Sequence, residues 1–557
     1  MEAQPVLIEL DPPPADAPQP PAETPAGETS PSKLVFGKRV RKPRPSLSPD
    51  AVGDPKVKPV DRSQLMMKTV DVQHLIGPDH PARAILDLVG KFNLDQFLSA
   101  ICSQMGEKGR PTTDPKMLIS VWLYAYSEGV GSAREIERLM EYEPGLSWLC
   151  GCKPVNHHTL SDFRVDHKEA LDELFQQLLA ALEGEKLIDL TQVMHDGTKV
   201  RANAGVDTFR RKKTIEERLE RAKQLLAQMG DPREDNPQAR SRRQAALERA
   251  ARERVGKLEA AKEEMDQMIE AIKKKKGKPE KIAAEVEKAR VSVEEPEARK
   301  MKHGDSAILP SYNVQLSTES KNKIIVGMHL SQCSSDAQSL GTAVDKVVAN
   351  TDWCPNEVVI DGGFTNKDTI VEMEKRKIDL IGSLPDLEKK RTAGTKAAGI
   401  DEAFGGKFFI FQEETDTLEC PAGKELEYKS QSHKRGNKYH VYKAQGSDCQ
   451  RCEFRQQCCP KNPEKGRSVA VLVTEDPVIS NFREKMESEE ARKIYKRRGP
   501  VAEFPNAWIK DKIKLRKYRL RGILKAGIET MWACLAYNAK QWIRLSWRKL
   551  NALPSAA

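Results

Sequence analysis

The chain has 557 residues, with 92 Lys and Arg against 82 Asp and Glu and a formal net charge of +10. That length is too great for one hydrophobic core, so several modules are expected, and the cationic excess suits either a polyanionic partner or an ordinary solvated surface. Eleven cysteines without the spacing of a secreted disulfide framework point to a reducing compartment, and no run approaches the roughly 18 apolar residues of a membrane span. The start MEAQPVLIELDPPP has neither a basic region nor an apolar core, so the expectation is a soluble, cytoplasmic protein with no membrane partner.

Residues 1–59 are expected to be a disordered Pro-rich tail, too poor in apolar side chains to offset the entropy of ordering. Its cations Lys38, Arg39, Arg41, Lys42 and Arg44 either touch DNA backbone or are simply solvated, and Pro43 and Pro45 deny them a regular helix.

Residues 60–184 read as all-α. Ile85, Leu88, Val89 and Phe92 recur at helical spacing, Asp114 and Pro115 form a cap and first-turn pair for KMLISVWLYAY, and Ser132 with Glu135 forms a capping box. In NHHTLSDFR, His157 and His158 are read as turn residues rather than metal ligands, because adjacent residues cannot share one helix face. The single-residue separation of Cys150 and Cys152 is not a zinc-knuckle spacing.

Residues 185–206 and 295–410 carry the strand signals: Leu187 to Arg201, two candidates within Asn313 to Leu330 broken by ESKNK, Glu357 to Asp361, and Ile378 to Leu384 after the helix-like KDTIVEMEKRK. Strands followed by strand–helix alternation predict a mixed α/β sheet. Between them, residues 207–294 form a highly charged insertion. Leu247, Ala251, Val255, Leu258, Ala261, Met265, Met268 and Ile272 step along it by three or four, which predicts two long helices joined at Gly230, Asp231 and Pro232. Such a hairpin serves as a dimerisation arm, a DNA-bridging arm or a solvated decoration; the stripe does not separate these.

Residues 411–470 hold Cys420 in CPAG, then Cys449 and Cys452 in a C-x-x-C knuckle, with Cys458 or its neighbour Cys459 to complete a tetrahedral thiolate set. Four thiolates leave no open position, so the Zn²⁺ expected here is structural. The intervening Lys429, His433, Lys434, Arg435, Lys438, Tyr439, His440 and Lys443 line either a DNA-facing surface or an exposed charged loop. Residues 471–557 contain the basic stretch from Lys512 to Arg521, with Lys514, Arg516 and Arg519 as phosphate-contact candidates. A helix follows whose face is traced by Ile528, Met531, Trp532, Leu535, Ala539 and Trp542.

Three carboxylates stand out from this background: Asp196 in VMHDGTKVRANA, Asp361 in EVVIDGGFTN, and Glu503 in YKRRGPVAEFPNAWIK. Separated carboxylates gathered by a fold are what two-metal phosphoryl chemistry needs, since hard Mg²⁺ ions take oxygen ligands. The wording resembles the DDE transposases of bacterial insertion sequences, in the branch of the IS-four and IS-five groups. The likeness rests on Asp196, Gly197, Thr198, Lys199, Ala202, Asn203 and Ala204; on Val358, Val359 and Ile360 before Asp361, Gly362 and Gly363; and on Tyr495, Arg498, Glu503 and Lys510. The gap from Arg498 to Glu503 is one residue longer than that family's pattern. Related transposases also carry a similar cysteine arrangement, matched here through Arg455.

The resemblance implies an RNase H-like mixed sheet with flanking helices, an all-α N-terminal DNA-recognition domain, a helical insertion and a small Cys-rich insertion. It implies Mg²⁺ or Mn²⁺ held by Asp196, Asp361 and Glu503, phosphates held by Lys199, Arg498 and Lys510, and double-stranded DNA, both terminal inverted repeats and target, as partner of a homodimer or higher assembly. The implied activity is hydrolysis at the element ends and joining of the 3′-OH to target DNA. The alternatives are a DNA-binding descendant whose chemistry is unused and a nuclease that cuts without joining.

Overall fold

The computed structural model describes residues 69–99, 101, 111–228, 242–275, 277–384, 394–434, 437–474 and 476–551. The Pro-rich tail with its basic cluster, the Gly230–Pro232 joint and Arg435 lie outside them.

The central sheet has six strands: β1 (Gln192–Arg201), β2 (Arg299–Lys302), β3 (Ile308–Glu319), β4 (Ile325–Ser331), β5 (Glu357–Ile360) and β6 (Asp379–Gly382). Strand β3 lies antiparallel to β1, and its other edge is shared by β2 and β4. Beyond β1 come β5 and β6, both parallel to it. The sheet is therefore mixed, as the strand–helix alternation predicts. The strands differ from the expected ones by a few residues: β3 starts at Ile308, and β5 stops one residue short of Asp361.

Alternation along the strands decides what each face buries. Val358, Ile360 and Leu380 pack under the helices Leu340–Thr351, Lys367–Lys375 and Pro477–Glu487, while Met194, Val359 and Ile381 face Ala491, Val501 and Ala502. The antiparallel half of the sheet, with Val314 and Leu316, joins a larger core that takes in the helices before residue 185 and helix Ile523–Trp542. That last helix differs from the expected one-faced amphipathic helix. Residues 528–539 are buried on every side, because helices Pro115–Ser127 and Lys168–Gly184 cover what the sheet leaves open.

Among the N-terminal helices, Pro115–Ser127 starts as predicted, with Asp114 accepting the Lys116 N–H at 2.9 Å. Ser132 holds the N-cap position of Ala133–Leu139 but makes no side-chain cap bond, and Glu135 pairs with Arg138 instead. His157 and His158 are not in a turn. Asn156 accepts the His158 N–H at 2.8 Å and so caps a helix, His157–Asp166, whose first two residues they are.

Among the described residues the charged insertion holds three helices rather than two: Lys212–Gln228, Arg242–Lys273 and Pro279–Lys288. Its stripe is satisfied within the chain, with Val255 and Leu258 against Leu219 and Ala222, and Ala261 and Met265 against Ile215. Leu247 departs from the stripe and is exposed. Residues 410–474 build a separate antiparallel sheet in the order Ser468–Thr474, Asn437–Ala444, Glu425–Lys434, Thr417–Glu419, Ile410–Gln412.

Candidate active site

The parallel register of β1 and β5 pairs Gln192 with Glu357, Val193 with Val358 and Met194 with Val359. Carried two residues further, the same offset sets Asp196 beside Asp361 at the carboxyl ends of the two strands. By alternation both side chains take the face of Met194 and Val359, the face covered by Ala491, Val501 and Ala502. Ligand sites of open α/β sheets lie at such strand ends.

Glu503 reaches that face from the end of a π-helical turn, Gly499–Glu503, which runs directly into helix Phe504–Asp511. A π turn holds one residue more than an α turn. The extra residue between Arg498 and Glu503 is thus absorbed locally, and the two side chains still face each other: Arg498 Nη2 lies 3.1 Å from Glu503 Oε1, and its Nη1 3.7 Å from Asp196 Oδ1.

Asp196 is mostly buried, and Asn506 Nδ2 donates to its Oδ2 at 2.9 Å. Burial pushes its pKa up to about 6; Arg498 pulls it down and the charge of Asp361 adds to the rise. Asp361 accepts the Gly363 N–H at 2.6 Å, which fixes the turn after β5. Lys510 donates to Thr198 on the same side of β1, and burial lowers its pKa.

The opposite face of β1 is a buried polar layer. His195 lies 2.9 Å from both Ser317 Oγ and Gln315 Oε1, and burial, then His329, depress its pKa to about 3, so it stays neutral. Asp336 accepts from Asn313 Nδ2 at 2.7 Å and Gln315 Nε2 at 2.8 Å. Gly197 has a steric reason to be glycine, since a Cβ there would stand 2.6 Å from Gln315 Nε2 and 2.7 Å from Asp336 Oδ1.

Of the sequence-derived site residues, Asp196, Asp361, Glu503, Arg498 and Lys510 come together. Lys199 does not: it takes the other face of β1 and donates to the Lys302 carbonyl at 3.0 Å. Lys514, Arg516 and Arg519 lie on an extended segment bridged to the end of β1 through Arg201 and Lys517. Ile513, Leu515 and Tyr518 point inward there while these three cations stay exposed, Arg516 paired with Asp511. Asn506 and Asp336 went unnoticed, because an Asn or Asp among many has no spacing signal of its own, and Thr198 is legible in the sequence only as part of the wording around Asp196.

The donor set suits a hard divalent cation. Two carboxylates stand side by side, and Asn506 Oδ1 is buried there without a hydrogen-bond partner. Among the described residues no three His, Cys, Asp or Glu side chains converge as around one metal ion; Glu503 pairs with Arg498.

In the second sheet, Cys420, Cys449, Cys452, Cys458 and Cys459 line a cavity of about 30 Å³. Lys424 N–H donates to Cys420 Sγ at 3.3 Å and Arg467 N–H to Cys449 Sγ at 3.4 Å. Burial pushes the Cys458 thiol up to about 11, against the pull of Arg467 and with a further push from Cys449, Cys459 and Cys420. The five sulfurs share one pocket, but among the described residues no three of them converge as around one metal ion.

Residues 419–543, which include these cysteines and Glu503, match the family model described as Transposase DDE domain. Residues 70–166 match the one described as Transposase domain (DUF772). No curated protein matches the chain. Among solved structures, the cryo-electron-microscopy structure of the piggyBac transposase synaptic complex with hairpin DNA aligns over 87% of this chain and 85% of that one, at 9% identity and a TM-score of 0.22. One transposase model is matched across the N-terminal helices and a second across the segment that delivers Glu503, so the chain is similar over these two stretches to DDE transposases of insertion sequences.

Proposed function

We propose that this chain is a transposase that cuts double-stranded DNA at the terminal inverted repeats of its element and joins the resulting 3′-OH to target DNA, on an RNase H-like core. One observation carries the reading: Asp196 and Asp361 share a level on adjacent parallel strands, with Glu503 on the same face through Arg498. The strand order β4-β3-β1-β5-β6, three antiparallel and then two parallel, supports the core assignment.

Asp196, Asp361 and Glu503 would hold Mg²⁺ or Mn²⁺. When bound, such ions make water acidic enough to attack a phosphodiester and stabilise the departing oxygen. The chain's own residues do the rest. Asn506 orients the Asp196 carboxylate, Lys510 and Arg498 sit where the phosphate's charge needs compensation, and Lys514, Arg516 and Arg519 extend that surface along the duplex. Lys199, on the far face, is left with a supporting role for the Lys302 strand. The helices before residue 185 recognise the element ends, and Cys420, Cys449, Cys452 and Cys458, with Cys459 as the alternative fourth ligand, hold a structural Zn²⁺. The active form is a homodimer or higher assembly on DNA. Among the described residues no helix is long and apolar enough to cross a membrane.

A strand-transfer assay on paired element ends tests the reading. Joined products support it, cleavage without joining favours the simple nuclease, and binding without cleavage favours the DNA-binding descendant.

A further inference from the structure

We propose that a pocket beside the carboxylate site takes one unpaired nucleotide of a DNA strand, its phosphate on lysine and arginine side chains and its base on the ring of Phe504. The proposal rests on the DNA reading above and adds a subsite to it.

The pocket has a volume of about 640 Å³ and lies between the β3–β4 turn, helix Phe504–Asp511 and the C-terminal helices. Among the described residues five cations line it, Lys321, Lys323, Lys540, Arg544 and Arg548, and no Asp or Glu does. Lys540 is neutralised by Glu128 at 2.8 Å, and Arg544 donates to the uncharged Gln541. Lys321, Lys323, Arg544 and Arg548 have no ion-pair partner among the described residues. An uncompensated cationic concavity concentrates anions.

The aromatic wall narrows the choice of anion. Phe504 is 41% exposed, and Lys323 Nζ stands over one face of its ring, 4.7 Å from the centroid, so a stacked base takes the opposite face. Trp508, one turn on, is fixed edge-on by Tyr537 at 5.3 Å. An exposed ring flanked by phosphate-binding cations matches a base together with its phosphate, the usual platform for single strands. An acidic peptide uses the cations and leaves the ring idle.

Position links the pocket to the chemistry. Phe504 and Trp508 share one face of their helix, while Asn506 and Lys510, two residues along, share the face that bonds Asp196 and Thr198. Phe504 follows Glu503 directly, about 3.8 Å away between Cα atoms. One helix, about 10 Å across, therefore separates the carboxylates from the pocket, a span of a few nucleotides.

The test uses the full-length protein and three fluorescent probes of one length: oligo-dT, an abasic strand, and a duplex. Phe504→Ala should bring oligo-dT affinity down to that of the abasic strand, a loss of about tenfold, while Phe504→Trp keeps the difference. Lys323→Glu with Arg548→Glu should weaken both single strands more than the duplex. An iododeoxyuridine strand should crosslink to Phe504 or Trp508. Wild-type oligo-dT binding by the Phe504→Ala and charge-reversed proteins, equal weakening of strand and duplex, crosslinks elsewhere, or competition by free thymidine monophosphate as effective as by the strand would each overturn the proposal. End cleavage by the wild type is scored separately: its absence sinks the transposase chemistry and leaves the strand-binding result standing.

Discussion

Arg498 lies 3.1 Å from Glu503 although five positions separate them, a spacing that an α-helix does not place as well as four. The π turn Gly499–Glu503 restores the contact. Deleting the exposed Pro500 should let the turn revert to α geometry with Arg498 and the Glu still facing, so the protein should fold and metal-dependent cleavage should survive. A one-residue deletion within Phe504–Asp511 should instead swing Asn506 and Lys510 off Asp196 and Thr198 and abolish cleavage. Circular dichroism and a cleavage assay on both deletions check this; loss of activity on deleting Pro500 alone would show that the π turn has a further role.

Asp196 carries a pH signature. Its folded pKa of about 6 lies above its ordinary 3.8, so between those values the folded state holds more protons than the unfolded, and stability falls as pH rises through the window. Above pH 6 the cost is fully present, on the order of 2 to 3 kcal/mol. Asp196→Asn should therefore raise the metal-free melting temperature at pH 7.5 and leave it nearly unchanged at pH 4. Saturating Mg²⁺ should stabilise the wild type at pH 7.5 and the variant much less.

Glu529 and Arg164 form a buried pair at 3.7 Å, and Glu529 Oε2 also accepts the Arg519 N–H at 2.8 Å. The Arg164 guanidinium stacks 4.7 Å from the Trp122 ring centroid and donates to the Gly131 carbonyl at 2.8 Å. Glu529→Ala leaves the guanidinium buried without its counter-charge and should cost on the order of 3 kcal/mol in urea unfolding. A loss below about 1 kcal/mol would mean that water reaches Arg164.

The outward cations of the extended segment should set the salt dependence of DNA binding. Changing Lys514, Arg516 and Arg519 together to Gln should flatten the slope of log K against log salt by roughly two to three units, and weaken end and unrelated DNA alike. Loss of end preference with the full slope retained would mean that the segment reads bases.

Protein purified under reducing conditions without chelator should carry about one zinc, and Cys449→Ala should remove it. Its loss should unfold the 410–474 sheet before the central one, because that sheet has only a small apolar core around Phe409, Leu418 and Leu426. Elemental analysis together with limited proteolysis reads both.

Much of this was legible in the sequence where local wording and period agree. The strand before Asp361, the cap at Asp114 and the stripe from Val255 to Ile272 each follow from a short-range rule, and the structure has them. Asp196 and Asp361 could be picked out from flanking residues, but their shared level depends on the register between strands 165 positions apart, which no local pattern encodes. Lys199 looked equivalent to Lys510 as a phosphate holder; strand alternation puts it on the other face. The all-round burial of helix Ile523–Trp542 escaped notice for the same reason, since its second face is covered by helices from the far end of the chain. Asn506 and Asp336 are visible only through the partners that tertiary structure brings to them.

The most direct measurement is Mg²⁺-dependent cleavage of a duplex bearing the element's own end by wild type and by Asp196→Ala, Asp361→Ala and Glu503→Ala, with end binding measured in parallel. Each variant should bind the end nearly as wild type does and leave it uncut. Undiminished cleavage by any one of the three would remove that residue from the site, and undiminished cleavage by Asp196→Ala or Asp361→Ala would contradict a catalytic role for the paired carboxylates.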